Sequence, residues 1–318
     1  MSTASFQQLA SGSSGNSALL EFEGRRLLID AGLNPRRLLQ LLQQVETDWS
    51  SIDGMLLTHT HADHWHRGVM AQLLARRIRL YCHPGHRKQL QLNSSDFALL
   101  ALQGLVHYFE AGTEFEPLPG VGCLAWPVPH DGGPTFGFRL WGTPRGATRS
   151  WVVCYAADLG SWSLDLPTRL ANADLLALEF NHDLDLQLNS QRPTWLISRV
   201  LSDVGHLSNT QATRLVKECL TASTLRRPKV LVQLHLSKEC NTAELAAASV
   251  QGVLGELSPG TQVQTTWQGE IAPPGGSARR VKWKRPRLLP EVGLVARFWF
   301  SRSSASARSR GRCRQGPS

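Results

Sequence analysis

Short apolar runs punctuate this chain, and several of them stop abruptly at an Asp or a His. Ile52-Asp53-Gly54-Met55-Leu56-Leu57-Thr58 is one such run; its brevity and polar flank predict a buried strand that delivers its C-terminal end to a polar site. The period then changes. From Asp63 to Arg77 the apolar residues Val69, Leu73 and Leu74 recur with helical spacing, which puts Asp63 and His64 near a helix N-terminus. Phe6 to Ala10 and Ala18 to Glu23 read as strands joined by the Ser/Gly turn Ser11-Gly12-Ser13-Ser14-Gly15-Asn16-Ser17, a flexible hairpin connection on composition alone. Later strand-like runs end in Asp158 and His235, and Ala212, Leu215 and Val216 mark a helix between them. No internal repeat is present.

Between the first strand and its helix lies Thr58-His59-Thr60-His61-Ala62-Asp63-His64, which concentrates three imidazoles and a carboxylate. In an extended loop His59 and His61 project to the same side, so both can hold one ion. Asp63 and His64 then face a second position beside it. Two neighbouring metals supply a Lewis acid and a nucleophile together, which suits hydrolysis of phosphate and carbonyl esters.

The order His-x-His-x-Asp-His resembles the signature of the metallo-β-lactamase superfamily, and the later segments follow that superfamily's sequence of ligands. The resemblance implies an α/β (α+β) fold, the αββα sandwich of two mixed β-sheets flanked by helices. It assigns His59, His61 and His130 to one divalent ion, Asp63, His64 and His235 to the other, and Asp158 to both. Asp30 props the site from behind. Zinc suits this donor set and manganese is the alternative. The Ser/Gly turn, Glu179-Phe180-Asn181-His182-Asp183, Ser202 to Asn209 and His235 to Thr242 together resemble the YycJ/WalJ-like branch, compact proteins regarded as 5′ to 3′ DNA exonucleases, from about Phe6 to Glu270. Phe180, the Cys82-His83-Pro84-Gly85-His86 loop and the C-terminal segment depart from that branch.

Gly205-His206-Leu207-Ser208 followed by a helix is similar to ribonuclease Z, and this likeness makes His206 the general acid beside Asp63 and Asp158, with helix capping as its bland alternative. His182 and Asn181 are expected to hydrogen-bond a ligand or to line the substrate groove, with Ser208 grouped beside them. His66 is expected to be solvated, and Trp65 and Trp162, next to ligands, to stack on bases. A zinc clip at Cys82, His83 and His86 has poor spacing for a tetrahedral site.

Composition narrows the class. The chain has 318 residues, 42% of them apolar, enough for a large core. Six scattered cysteines without a Cys-x-x-Cys pair, and no secretory or membrane-spanning stretch, point to a cytoplasmic enzyme with no membrane partner. The formal charge of +9 is confined to the end: after 269 lie twelve of the 34 Lys and Arg but only two of the 25 acids, leaving 22 basic and 23 acidic residues in the body. The expected division is therefore a catalytic domain over 1–269 and a basic, low-complexity, disordered tail over 270–318. Only 76 positions separate Asp158 from His235, too few for an inserted cap domain. The function expected is a phosphodiesterase or exonuclease acting on DNA through a metal-bridging hydroxide, with DNA or another nucleic acid as its partner. A hydrolase of a lactone or thioester and a nucleic-acid-binding protein with a vestigial site are the alternatives.

Overall fold

Period-two alternation makes the apolar runs into strands buried on both faces. In the strand Ser17–Phe22, Ala18, Leu20 and Phe22 point into one hydrophobic cluster while Leu19 points into another. The computed structural model describes residues 4–266 and the backbone of residues 281–283. One sheet contains β1 (Ala4–Ala10), β2 (Ser17–Phe22), β3 (Arg25–Ile29), β4 (Gly54–Leu56), β5 (Arg79–Cys82) and β6 (Val106–Tyr108). The other contains β7 (Glu114–Leu118), β8 (Val121–Pro127), β9 (Phe136–Gly142), β10 (Trp151–Ala156), β11 (Leu175–Glu179), β12 (Val230–Leu234) and β13 (Gln262–Thr265), hydrogen-bonded in the order β13-β12-β11-β10-β9-β8-β7.

Side chains from both sheets, among them Phe6, Phe22, Ile29, Phe138, Tyr155 and Val232, form the central layer. The outer face of the first sheet is covered by α1 (Pro35–Gln44), α2 (Arg67–Arg76), α3 (Arg87–Asn93) and α4 (Ser95–Leu102), which bury Leu38, Val69, Leu90 and Phe97. The second sheet is covered by α5 (Leu166–Leu170) and two long helices, which bury Leu170, Leu215 and Val250; two short helices, α6 (Leu184–Leu188) and α7 (Thr194–Val200), precede the long α8 (Asn209–Ala222) and α9 (Ala243–Leu257) in the chain. The result is the expected αββα sandwich. No helix of the described residues is long and apolar enough to cross a membrane.

Strands β3 and β4 run parallel, as do β10, β11 and β12, so their C-terminal ends converge on one edge of the sandwich. Asp30 and His235 are the first residues past β3 and β12, and both are held at positive φ, 58° and 56°. Non-glycine residues in that region carry a backbone cost of about 1–3 kcal/mol, and such strain collects where function fixes a side chain.

Several expectations are corrected. Trp65 is buried beneath the loop, in the cluster with Val69 and Leu73, and its Nε1 donates to Thr60 O at 3.1 Å; it braces the His-rich loop from below and offers no face to a base. Trp162 packs on α8, where its Nε1 donates to Glu218 Oε2 at 2.9 Å and Arg214 covers its ring. Phe180 is fully buried in the core of the second sheet, so this departure from the branch is a packing side chain. His66, expected to be solvated, is partly exposed and in addition caps α2 by accepting from Gly68 N at 3.0 Å. His86 is buried and held 2.7 Å from Pro134 O, with its pKa pushed down to about 4 by burial; it braces the loop after His130. Within the segment expected to be a tail, Val281–Trp283 form β14, antiparallel to β1 with Ala4 opposite Trp283. The rest of that segment lies outside the described residues.

An uncovered edge strand promotes association. A chain ending at Arg285 is expected to keep the melting temperature of the full chain. One ending at Thr266, which lacks β14, is expected to melt several degrees lower and to self-associate in size-exclusion chromatography. Identical melting and elution of both truncations would contradict the covering role of β14.

Candidate metal centre

The loop after β4 is fixed before any ligand binds. Asp30 Oδ1 accepts from Thr58 N at 2.8 Å, and its Oδ2 accepts from Thr58 Oγ1 at 2.9 Å and sits 2.7 Å from His64 Nδ1. Thr58 Oγ1 also lies 3.0 Å from His59 Nδ1. These contacts occupy the rear nitrogens of His59 and His64 and leave each Nε2 facing inward. Burial raises the pKa of Asp30, although His64 works in the opposite direction.

His59, His61 and His130 form one group whose candidate donor atoms lie within 4.8 Å of one another. His130 Nδ1 is taken by Gly205 O at 3.0 Å, and its Nε2 meets His61 Nδ1 at 3.2 Å. His59 Nε2 is fully buried and has no hydrogen-bond partner. Burial lowers the pKa of all three rings, which favours the neutral form a metal requires.

Beside it, His64 Nε2 and His235 Nε2 each lie 3.5 Å from Asp63 Oδ2. Asp158 stands between the groups. Its Oδ2 is 2.6 Å from His64 Nε2 and 3.5 Å from His59 Nε2, and its Oδ1 contacts His235 Nδ1. Yet neither oxygen of Asp158 is aligned for a hydrogen bond, and His235 Nε2 is likewise unpartnered. Burial opposes ionisation of Asp158, but His235 and His64 overcome it and hold the carboxyl well below its usual range. Asp63 is pulled down in the same way, chiefly by His64. Buried nitrogen and oxygen atoms that crowd together without hydrogen-bond alignment fit divalent cations.

Sequence reasoning missed three members of this site. Glu179 ends β11 fully buried; Oε1 lies 2.7 Å from His206 Nδ1 and 3.1 Å from His235 Nδ1, while Oε2 accepts from Leu159 N and Leu207 N at 3.0 and 3.2 Å. Asp158, Glu179, His206 and His235 form a further group of converging donors. Asn16 is buried in the Ser/Gly turn, with Nδ2 3.1 Å from Asp63 Oδ2 and its backbone N donating to Asp63 O at 2.7 Å. Ser11 Oγ accepts from His235 N at 2.7 Å. The turn is therefore clamped to the candidate metal centre at both ends, against the flexible reading.

The residues expected to support the ligands divide. Asn181 Nδ2 donates to His235 O at 2.8 Å and fixes the backbone of that residue. Ser208 instead caps α8, accepting from Gln211 N at 3.2 Å. His182 is buried with neither ring nitrogen bonded, and burial pushes its pKa down to about 4. It touches no ligand through a hydrogen bond, because β11 ends at Glu179 and turns the following residues into the layer beneath α8. His206 does not cap α8; its ring stands between His130 and His235, about 5 Å from each, with centroid distances of 5.0 and 5.0 Å.

Fold and site together define a metal-dependent hydrolase. The sequence profile of a β-lactamase superfamily domain matches residues 25–232. The exodeoxyribonuclease WalJ of Streptococcus pneumoniae serotype 2 is 32% identical over 257 residues, which cover 80% of this chain and 90% of that one. The exodeoxyribonuclease YycJ of Bacillus anthracis is 27% identical over 252 residues, 79% of this chain and 89% of the relative. Among solved structures, the metallo-β-lactamase fold protein YhfI of Bacillus subtilis superposes with a TM-score of 0.61 at 17% identity, covering 89% of this chain and 99% of that one. Zn(2+)-bound PqqB of Methylobacterium extorquens gives 0.61 at 17%, covering 88% and 100%. The chain belongs to the metallo-β-lactamase superfamily, in its YycJ/WalJ-like branch.

Gly32 allows the loop to close. A Cβ there would lie 1.8 Å from Asp63 O, a backbone atom with no freedom to retreat. Gly32→Ala is expected to cost about 2–4 kcal/mol of unfolding free energy in a denaturant titration, together with bound metal. Retention of both stability and metal would show that the loop has slack.

Proposed function

We propose that this chain is a dinuclear metal-dependent phosphodiesterase that removes nucleotides from the end of a DNA strand. In this reading His59, His61 and His130 hold one divalent ion, Asp63, His64 and His235 hold the second, and Asp158 is shared. Zinc and manganese both suit these donors. Such ions, when bound, polarise a phosphoryl oxygen and lower the pKa of water. The exodeoxyribonuclease names of the two relatives support a DNA substrate. The five described cysteines are free and buried, in keeping with a cytoplasmic setting.

One observation carries the mechanism: the Glu179–His206 pair, with 2.7 Å between Oε1 and Nδ1, at the edge of the donor cluster. Glu179 is pinned by two backbone N–H groups, so it fixes the His206 ring and favours a proton on Nδ1. The opposite nitrogen, Nε2, is the atom available to the reaction. Burial opposes ionisation of Glu179, but His206 holds its carboxyl below the usual range. Donation requires a second proton, on Nε2: the ionised Glu179 stabilises the doubly protonated ring, and His206 gives its Nε2 proton to the departing O3′ as the P–O bond breaks, returning to the form with a proton on Nδ1 alone. Asp63 and Asp158 orient the nucleophilic side of the same centre.

Replacing His206 with Ala is expected to leave metal content intact and to slow DNA cleavage by about 10²- to 10⁴-fold, the range for loss of a proton donor. Bis-p-nitrophenyl phosphate, whose phenolate departs unaided, is expected to lose far less. Glu179→Gln is expected to show the same split in milder form. Equal losses on both substrates would assign His206 to holding the site together. Asp158→Ala, in contrast, is expected to remove metal and activity together, and two retained ions with full turnover would refute the shared-ligand assignment.

A further inference from the structure

Helix α7 carries two side chains that the proposed chemistry leaves unused. Trp195 is 67% exposed, although it is among the largest apolar side chains. It precedes Arg199 by one helical turn, so the two share a face with Cβ atoms about 5–6 Å apart. Arg199 is held at the rim of the metal centre by Asp131: Nε donates to Oδ2 at 2.5 Å and Nη2 to Oδ1 at 3.0 Å. Asp131 Oδ1 is itself 3.5 Å from His61 Nε2 and 3.6 Å from His130 Nε2. The end of α7 is tied to the same centre, with His206 N donating to Val200 O at 2.9 Å and Asp131 N to Val204 O at 3.0 Å. Gly205 packs so closely on this end that a Cβ would lie 2.3 Å from Arg199 O.

A guanidinium has five N–H donors. Asp131 takes one from Nε and one from Nη2 along one edge. Among the described residues no acceptor takes the Nη1 hydrogens. The Nη1–Nη2 edge matches two oxygens of a phosphate, and a guanidinium already oriented by a carboxylate loses little freedom in binding one. Residues 194–200 contain no acidic side chain to repel a polyanion.

We infer that α7 grips the substrate strand: Arg199 takes a backbone phosphate flanking the cleaved one, and Trp195 stacks on a base of the same single strand. The inference rests on the phosphodiesterase reading and adds how the strand end is held. Stacking is tolerant of sequence, since every base offers a π-face, so the grip favours single-stranded ends without selecting a base.

The test measures binding by fluorescence anisotropy. It uses the full chain supplied with metal and hydrolysis-resistant phosphorothioate strands of equal length, one bearing bases and one abasic. Trp195→Ala is expected to weaken binding of the base-bearing strand about tenfold or more and to leave the abasic strand unaffected. Trp195→Phe, which keeps a ring, is expected to restore most of the loss. Arg199→Ala is expected to weaken both strands and to flatten the salt dependence by about one unit of slope. If wild-type protein binds both strands and Trp195→Ala changes neither, or changes both equally, the inference is overturned while the phosphodiesterase reading stands. If wild-type protein binds neither strand, that reading fails and this one with it. Loss of self-association or of a protein contact in Trp195→Ala, with strand binding intact, assigns the face to protein and overturns the inference.

Discussion

The structure depends on burying Asp158 where two imidazoles crowd its oxygens without hydrogen-bond alignment. A carboxylate buried alone costs many kcal/mol, and it persists only where positive charge compensates it. His64 and His235 press against its oxygens, with Asp63 and Glu179 adding negative charge beside it. Burial would discharge those two imidazoles, but Asp158 outweighs it and raises their pKa well above the usual value. A divalent cation, when bound, would supply the same compensation.

The sandwich makes this possible by delivering the candidate metal-binding side chains from strand ends and bracing each from outside. Asp30, Thr58 and Trp65 hold the His-rich loop; Ser11, Asn181 and Glu179 hold His235; Gly205 O and the end of α7 hold His130 and Asp131. These partners fix which ring nitrogen faces inward, and so the number of donors aimed at the centre, as metal sites require. The positive φ at Asp30 and His235 is the local cost of turning the chain into that geometry.

The first ligand loop was legible because its chemistry is concentrated between His59 and His64, directly after an apolar strand. The αββα architecture was implied by the family resemblance, which the order of the later Asp and His residues supports. Glu179 was not legible: it closes the run Leu175-Leu176-Ala177-Leu178, and its partners His206 and His235 come from distant parts of the chain. Asn16 was hidden by a turn whose composition reads as flexible, since the contacts that stiffen it come from Asp63 and His235. Ser208 was placed at the site by its neighbours in sequence, but its local spacing to Gln211 makes a helix cap. Trp65 and Phe180 illustrate the same limit: adjacency to a functional residue does not tell which side of the layer a side chain takes.

The most direct test of the shared carboxylate is electron paramagnetic resonance of the manganese-loaded full chain. Two ions that share Asp158, as in dinuclear sites with metals about 3.5–4 Å apart, are expected to give an exchange-coupled spectrum. That spectrum is expected to disappear in Asp158→Ala. The hyperfine pattern of isolated ions in the wild-type protein at full loading would contradict the account.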